Sequence, residues 1–167
     1  RLRAVRVRNA HGQVTSEFKV TEPFCVEVEF CVLVPGFQLD AGLYFYNESG
    51  TLVFLAGDSQ DQTWWNRPRP PGIHRSVCHV PGNLLNEGTI SVLAGISTNP
   101  HTLHAVERDA ITLRILDDLR PGGARGNYTR EWPGGVLRPL MQWTFASEPL
   151  DNKDTGPRDI RANAASL

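Results

Sequence analysis

Lysine is almost missing from this chain. Only Lys19 and Lys153 occur, against 15 arginines. Methionine occurs once, at Met141, and cysteine three times, at Cys25, Cys31 and Cys78. The formal net charge is -1, so no strong field argues for nucleic acid or an anionic membrane as partner. No apolar run is long enough to cross a bilayer as a helix, and no signal-peptide pattern is present. The chain does not start with Met, which fits a fragment of something larger. No G-K-[ST] and no G-x-S-x-G occurs, so phosphate-loop nucleotide hydrolysis and elbow-type serine chemistry are not encoded here. The excess of arginine over lysine suits planar, two-toothed recognition of carboxylate or phosphate. A GC-rich coding sequence produces the same bias.

The three cysteines do not form a disulfide framework. Cys25 and Cys31 lie on one side of the same predicted strand, roughly 20 Å apart at a strand's rise. A disulfide needs Cα atoms within about 7 Å. An odd, widely spaced set fits a reducing compartment. The sequons at Asn47-Glu48-Ser49 and Asn127-Tyr128-Thr129 matter only in a eukaryotic secretory pathway. His74, Cys78 and His79, with His101 and His104 nearby, lack the tight spacings of a zinc site. Asp58-Ser59-Gln60-Asp61 lacks the ligand alternation, Gly and terminal Glu of an EF-hand. Gly122, Gly123 and Gly126 lack the following helix of a dinucleotide fingerprint. No metal and no cofactor is expected.

What the chain has is alternation. In Phe24–Val34, FCVEVEFCVLV, Phe24, Val26, Val28, Phe30 and Val32 fall on one face. Cys25, Glu27, Glu29, Cys31 and Leu33 fall on the other. Period two with Val and Phe inside reads as a β-strand with one dry side. Leu2–Asn9 is a plausible first strand with a basic outer face, and Gln13–Val20 holds a short edge strand. Gly42–Asn47 and Thr51–Ala56 read as a hairpin across Asn47-Glu48-Ser49-Gly50. Gly57–Gly72 is a long polar loop. Ile73–Val80 and Thr89–Ile96 are strands, separated by a turn at Pro81–Gly88 with one apolar anchor. His101–Val106 and Ala110–Leu116 are expected to form a hairpin across Glu107-Arg108-Asp109. A last strand is expected at Met141–Phe145. Residues 1–146 form one domain on this reading. From Ser147 the chain is polar, without aromatics, and expected to be disordered. Many short strands without a convincing helix predict an all-β, immunoglobulin-like antiparallel β-sandwich, with a jelly roll as the alternative.

Glu27 and Glu29 stand roughly 7 Å apart along a strand. That separation resembles a glycosidase pair, but neighbours on a solvated face give it too, and no enzyme activity is expected. The aromatic residues say more. Tyr44 and Tyr46 share a face opposite Leu43 and Phe45. Trp64 and Trp65 sit in the long loop, where they either form a binding surface or plug one end of the sandwich. Rings beside Asn, Arg and carboxylates are what a sugar needs: the C–H face packs on the ring and planar groups bond the hydroxyls.

The segment GGARGNYTREWPGGVLRPLMQW at Gly122–Trp143 resembles the closing motif of the carbohydrate-binding domain at the C-terminus of Wzt-type ATPases. These are the nucleotide-hydrolysing subunits of bacterial ABC exporters of O-antigen polysaccharide. PFCVEVEFCV at Pro23–Val32 is similar to that family's early strand, and HVPGNLLNEGTISV at His79–Val92 to a later turn. The resemblance implies a β-sandwich that dimerises, recognises the polysaccharide on the cytoplasmic side of the inner membrane and presents it to the transporter's ATPase and membrane subunits. An exposed edge strand makes strand exchange between subunits a route to the dimer. In some members the domain reads a modification that ends the sugar chain. Binding residues in this family vary with the sugar, so the closing motif is expected to fix the fold: glycines for turns, Trp143 in the core, Arg125 on a buried acceptor. The site is therefore placed on the non-core sheet face and its loop. Trp64 and Tyr44 would stack on sugar rings, with Trp65 counted among the ligand-binding residues. Tyr46, Asn66 and Glu27 would bond hydroxyls, and Arg67 or Arg114 would pair an acidic group. The competing functions are a carbohydrate-binding module of a secreted enzyme and a ligand-free assembly domain.

Overall fold

A computed structural model describes residues 1–64, 66–98 and 102–147. The strands are β1 (Leu2–Asn9), β2 (Glu17–Lys19), β3 (Phe24–Val32), β4 (Leu39–Asn47), β5 (Leu52–Gly57), β6 (Gly72–Val80), β7 (Gly88–Thr98) and β8 (Thr102–Leu116). They form two sheets, ordered β1-β3-β6 and β2-β8-β7-β4-β5. The short β2 runs parallel to β8 and the remaining pairings are antiparallel. This is the immunoglobulin order, with β7 at the centre of the larger sheet between the C-terminal strand β8 and β4, rather than a jelly roll. Among the described residues there is no α-helix, and no helix long and apolar enough to cross a membrane.

Alternation explains the core. Val26, Val28 and Phe30 of β3 are buried and meet Leu43 and Phe45 of β4, Val92 and Ile96 of β7 and Leu113 of β8 in one cluster. Burying side chains of this size stabilises by about 1.5–3 kcal/mol each. The opposite face of β3 is polar and tied down. Glu27 accepts from Arg6 at 2.8 Å, and Glu29 from Arg3 at 3.2 Å and Arg75 at 3.0 Å. The bond from Arg75 holds the Glu29 carboxyl below its usual range, against the desolvation that raises it.

Two expected elements differ. Thr102–Leu116 is one strand, not a hairpin. Its ladder with β7 runs on both sides of Glu107-Arg108-Asp109, but Val92 faces Ile111 while Ala94 faces Glu107. The extra residues form a bulge, with Asp109 in the left-handed region (φ 49°). Met141–Phe145 has no regular secondary structure and joins no ladder, and Trp143 is 77% exposed rather than in the core. It lies beyond the last strand, and the buried hydrophobic cluster draws its members from Val7 to Ile115. The tail from 148 lies outside the described residues.

Of the three stretches that carry the resemblance, two pack on each other. The Asn83 side chain accepts from the Ala124 N–H at 2.8 Å, and Asn86 donates to the Gly135 carbonyl at 2.7 Å. Leu85, the buried anchor of its turn, bridges Leu137. Gly123 has φ 52°, and a Cβ there would lie 2.2 Å from the Asn83 oxygen. Arg125 reaches a buried acceptor as expected: Asp117, which Arg138 also binds. The closing motif therefore ties the end of β8 to the β6–β7 turn.

Candidate binding groove

The predicted site residues do not converge. Tyr44 and Tyr46 lie on the outer face of the five-stranded sheet. Arg114 is on the same face one side-chain row further along, opposite Thr89, where its charge adds to the hydrogen bonds from Thr89 that lower the Glu48 carboxyl. Glu27 is on the outer face of the other sheet, engaged by Arg6 and Arg8. It is committed to ion pairs rather than free for hydroxyls. Asn66 and Arg67 are exposed on the β5–β6 loop. Asn66 is held at φ 55°, and its carbonyl accepts from Gln38 at 3.3 Å. Trp65 falls outside the described residues.

Trp64 lies between the sheets, at the flank left open by β5 and β6. A cleft of about 520 Å³ runs there over Val28, Leu43 and Cys78, with Gln60, Asp61, Thr63, Arg75 and His79 among its walls. Burial and, secondarily, the nearby Cys25 sulfur push the Cys78 thiol up. Within the cleft Arg69 is buried, its guanidinium 5.2 Å from the ring centres of both Phe30 and Trp64. Its Nε donates to the Leu39 carbonyl at 2.9 Å, and Nη2 pairs with Asp58. Asp58 also accepts from the Ala41 N–H and the Ser76 hydroxyl. One carboxylate thus links β4, the long loop and β6 across the two sheets. Burial and the charge of Asp58 raise the neighbouring Asp40 carboxyl.

Trp64 therefore covers a buried cation, the arrangement expected of a plug. Trp64→Ala should lower stability by about 2–4 kcal/mol, combining lost ring burial with a lost cation–π contact. Chemical denaturation measures this, and an unchanged midpoint would contradict it.

On the outer face, a groove of about 350 Å³ is lined by Gly42, Tyr44 and Tyr46 of β4, Leu93, Gly95 and Ser97 of β7, and Leu103, Val106 and Arg108 of β8. That volume falls in the range of about 300–1,000 Å³ typical of ligand sites. Its cause is local. Gly42 and Gly95 face each other across the β4–β7 ladder, so two adjacent positions carry no side chain and the floor drops. The tyrosines rise on one side, half-buried, and Leu103 and Val106 form the other wall. The bulge of β8 brings in Arg108. That Tyr44 and Tyr46 share the outer face is legible from alternation. The glycine pair and Arg108 are not, because cross-strand register is invisible in one strand's sequence.

No family model matches the chain, and no curated protein does. A search of solved structures gives a match with TM-score 0.65 to a crystal structure of the C-terminal domain of Wzt, covering 89% of this chain and 83% of that one at 13% identity. This chain has the Wzt C-terminal fold. At that identity the correspondence concerns backbone architecture, and the groove's chemistry has to be read from its own side chains. Among the described residues, no group of three or more His, Cys, Asp or Glu could hold a metal ion.

Proposed function

We propose that this chain is a non-catalytic binding domain for O-antigen polysaccharide, selecting it for export by an ABC transporter. The observation that carries this reading is the outer-face groove. It combines two tyrosine rings, a glycine floor that lets a pyranose lie close to the backbone, and the polar ends of Ser97 and Arg108. Rings supply the apolar surface a sugar's C–H face needs, and a few fixed polar groups supply orientation. The shared Wzt C-terminal fold and the motif resemblance supply the transporter context. On this reading the ATPase activity belongs to another domain, and the protein works in the cytoplasm at the inner membrane. A glycan array of bacterial O-antigen polysaccharides tests it: retention of at least one class is expected, and retention of none overturns the proposal.

The same reading includes a homodimer. Leu140, Met141, Trp143 and Phe145 are 62%, 61%, 77% and 90% exposed in a segment without regular secondary structure or a ladder partner. Such a segment is suited to pair with a free sheet edge of a second copy, exchanging strands. The edge of β6 borders the open flank of the sandwich. Truncation after Pro139 should convert a dimer into a monomer in sedimentation equilibrium. A full-length chain that is already monomeric at high micromolar concentration would rule this out.

A further inference from the structure

We infer that the groove takes an acidic polysaccharide, with Arg108 pairing a carboxylate or phosphate carried by the sugar. The inference rests on the proposed glycan-binding role and goes beyond it by naming the charge of the ligand. Arg108 is the one charged residue lining the groove, and no carboxylate lines it. Its setting differs from that of the arginines on the opposite sheet. Arg3, Arg6, Arg8 and Arg75 all engage Glu27 or Glu29. Among the described residues Arg108 has no ion-pair partner and is exposed.

The backbone is distorted where it presents this side chain. A regular β8 would continue its pairing with β7, but here the register slips between Val92 and Ala94 and Asp109 adopts φ 49°. A left-handed non-glycine residue is sparsely populated, and such conformations cluster at ligand clamps. Bulges likewise re-aim side chains beside binding sites. Asp40 shares this face next to Ser97, but it is half-buried beside Asp58 and Arg69 and does not line the groove. The flanking Glu107 and Asp109 form no ion pair with Arg108 and are not among the residues that line the groove. A guanidinium lining the same groove as two tyrosines, with its fork unoccupied, matches a planar or tetrahedral anion on a sugar.

The test prints acidic bacterial polysaccharides beside their carboxyl-reduced and dephosphorylated forms and titrates the full chain and Arg108→Gln against the bound ones. Loss of binding on carboxyl reduction identifies a uronate, and loss on dephosphorylation identifies a phosphate; either supports the inference. Arg108→Gln should weaken binding of the native acidic polymer about ten- to a hundredfold, while residual binding to the neutralised form stays the same. Because Arg108 is exposed, the variant's melting temperature should match the parent's. Equal retention of charged and neutralised forms, or an Arg108→Gln variant that binds the acidic polymer as the parent does, overturns the inference and leaves the glycan-binding role standing. Retention of no polysaccharide removes both.

Discussion

Replacing Asp117 by alanine is expected to cost about 3–5 kcal/mol of folding stability, the loss typical of a buried charge stripped of its partner. Its side chain is 6% exposed, and those of Arg125 and Arg138 are 2% each. One carboxylate oxygen accepts from both guanidiniums. Arg125 also donates to the carbonyls of Tyr128 and Arg130, and Arg138 stacks 4.9 Å from the Trp132 ring centre. The Nε atoms of both guanidiniums are already buried without a protein partner, so the pair can ill spare the carboxylate as well. Removing Asp117 leaves two buried cations facing each other. Urea denaturation reads the effect directly, and a loss below about 1 kcal/mol would mean water replaces the carboxylate.

The same cluster sets an acid limit. Burial pushes the Asp117 carboxyl up, but the bonds from Arg125 and Arg138 outweigh it and bring it to about 2. The folded value lies below the unfolded one, so the contribution is complete above about pH 4 and is lost as pH falls toward 2. Over that window the parent should lose about 2 kcal/mol that an Asp117→Asn variant, already weakened, does not lose. Parallel stability profiles between pH 4 and 2 would refute the assignment.

This cluster also shows what could be read from residues alone. The arginine of the closing motif was legible as a fold-fixing residue because its flanking glycines mark turns. Its acceptor, Asp117, sits at the end of β8 and gave no signal, since nothing local says which carboxylate a distant arginine will find. β3 was legible for the opposite reason: strict alternation is a property of one segment facing one core. The break at Glu107-Arg108-Asp109 was misread because three polar residues look the same in a turn and in a bulge. Only the partner strand's register distinguishes them. Met141–Phe145 was misread because alternation reports the capacity to form a strand, not the presence of an edge to pair with. The candidate site divides likewise. The shared face of Tyr44 and Tyr46 followed from period two, whereas a loop sequence leaves Trp64 open between a binding surface and a plug, and only the fold shows its ring beside Arg69.

Filling the groove should separate binding from folding. Gly95→Leu is expected to abolish polysaccharide binding, by at least about a hundredfold, with the melting temperature within a few degrees of the parent. Gly95 has ordinary extended backbone, and a Cβ there would meet the Leu103 side chain at 3.6 Å and the Ala105 carbonyl at 3.7 Å, both normal contacts. A Cβ at this position therefore needs no backbone change, and the rest of the leucine extends into the groove while a poor strand former is replaced by a better one. What it takes away is the floor between Tyr44 and Val106, where a sugar ring would have to sit. A stacked ring cannot shift upward without leaving the tyrosine faces, so the loss should be in affinity rather than in rate of association. Isothermal titration with a polysaccharide retained by the parent decides between outcomes. Full binding by Gly95→Leu would move the site off this face, with the cleft of about 520 Å³ beside Trp64 the next place to test.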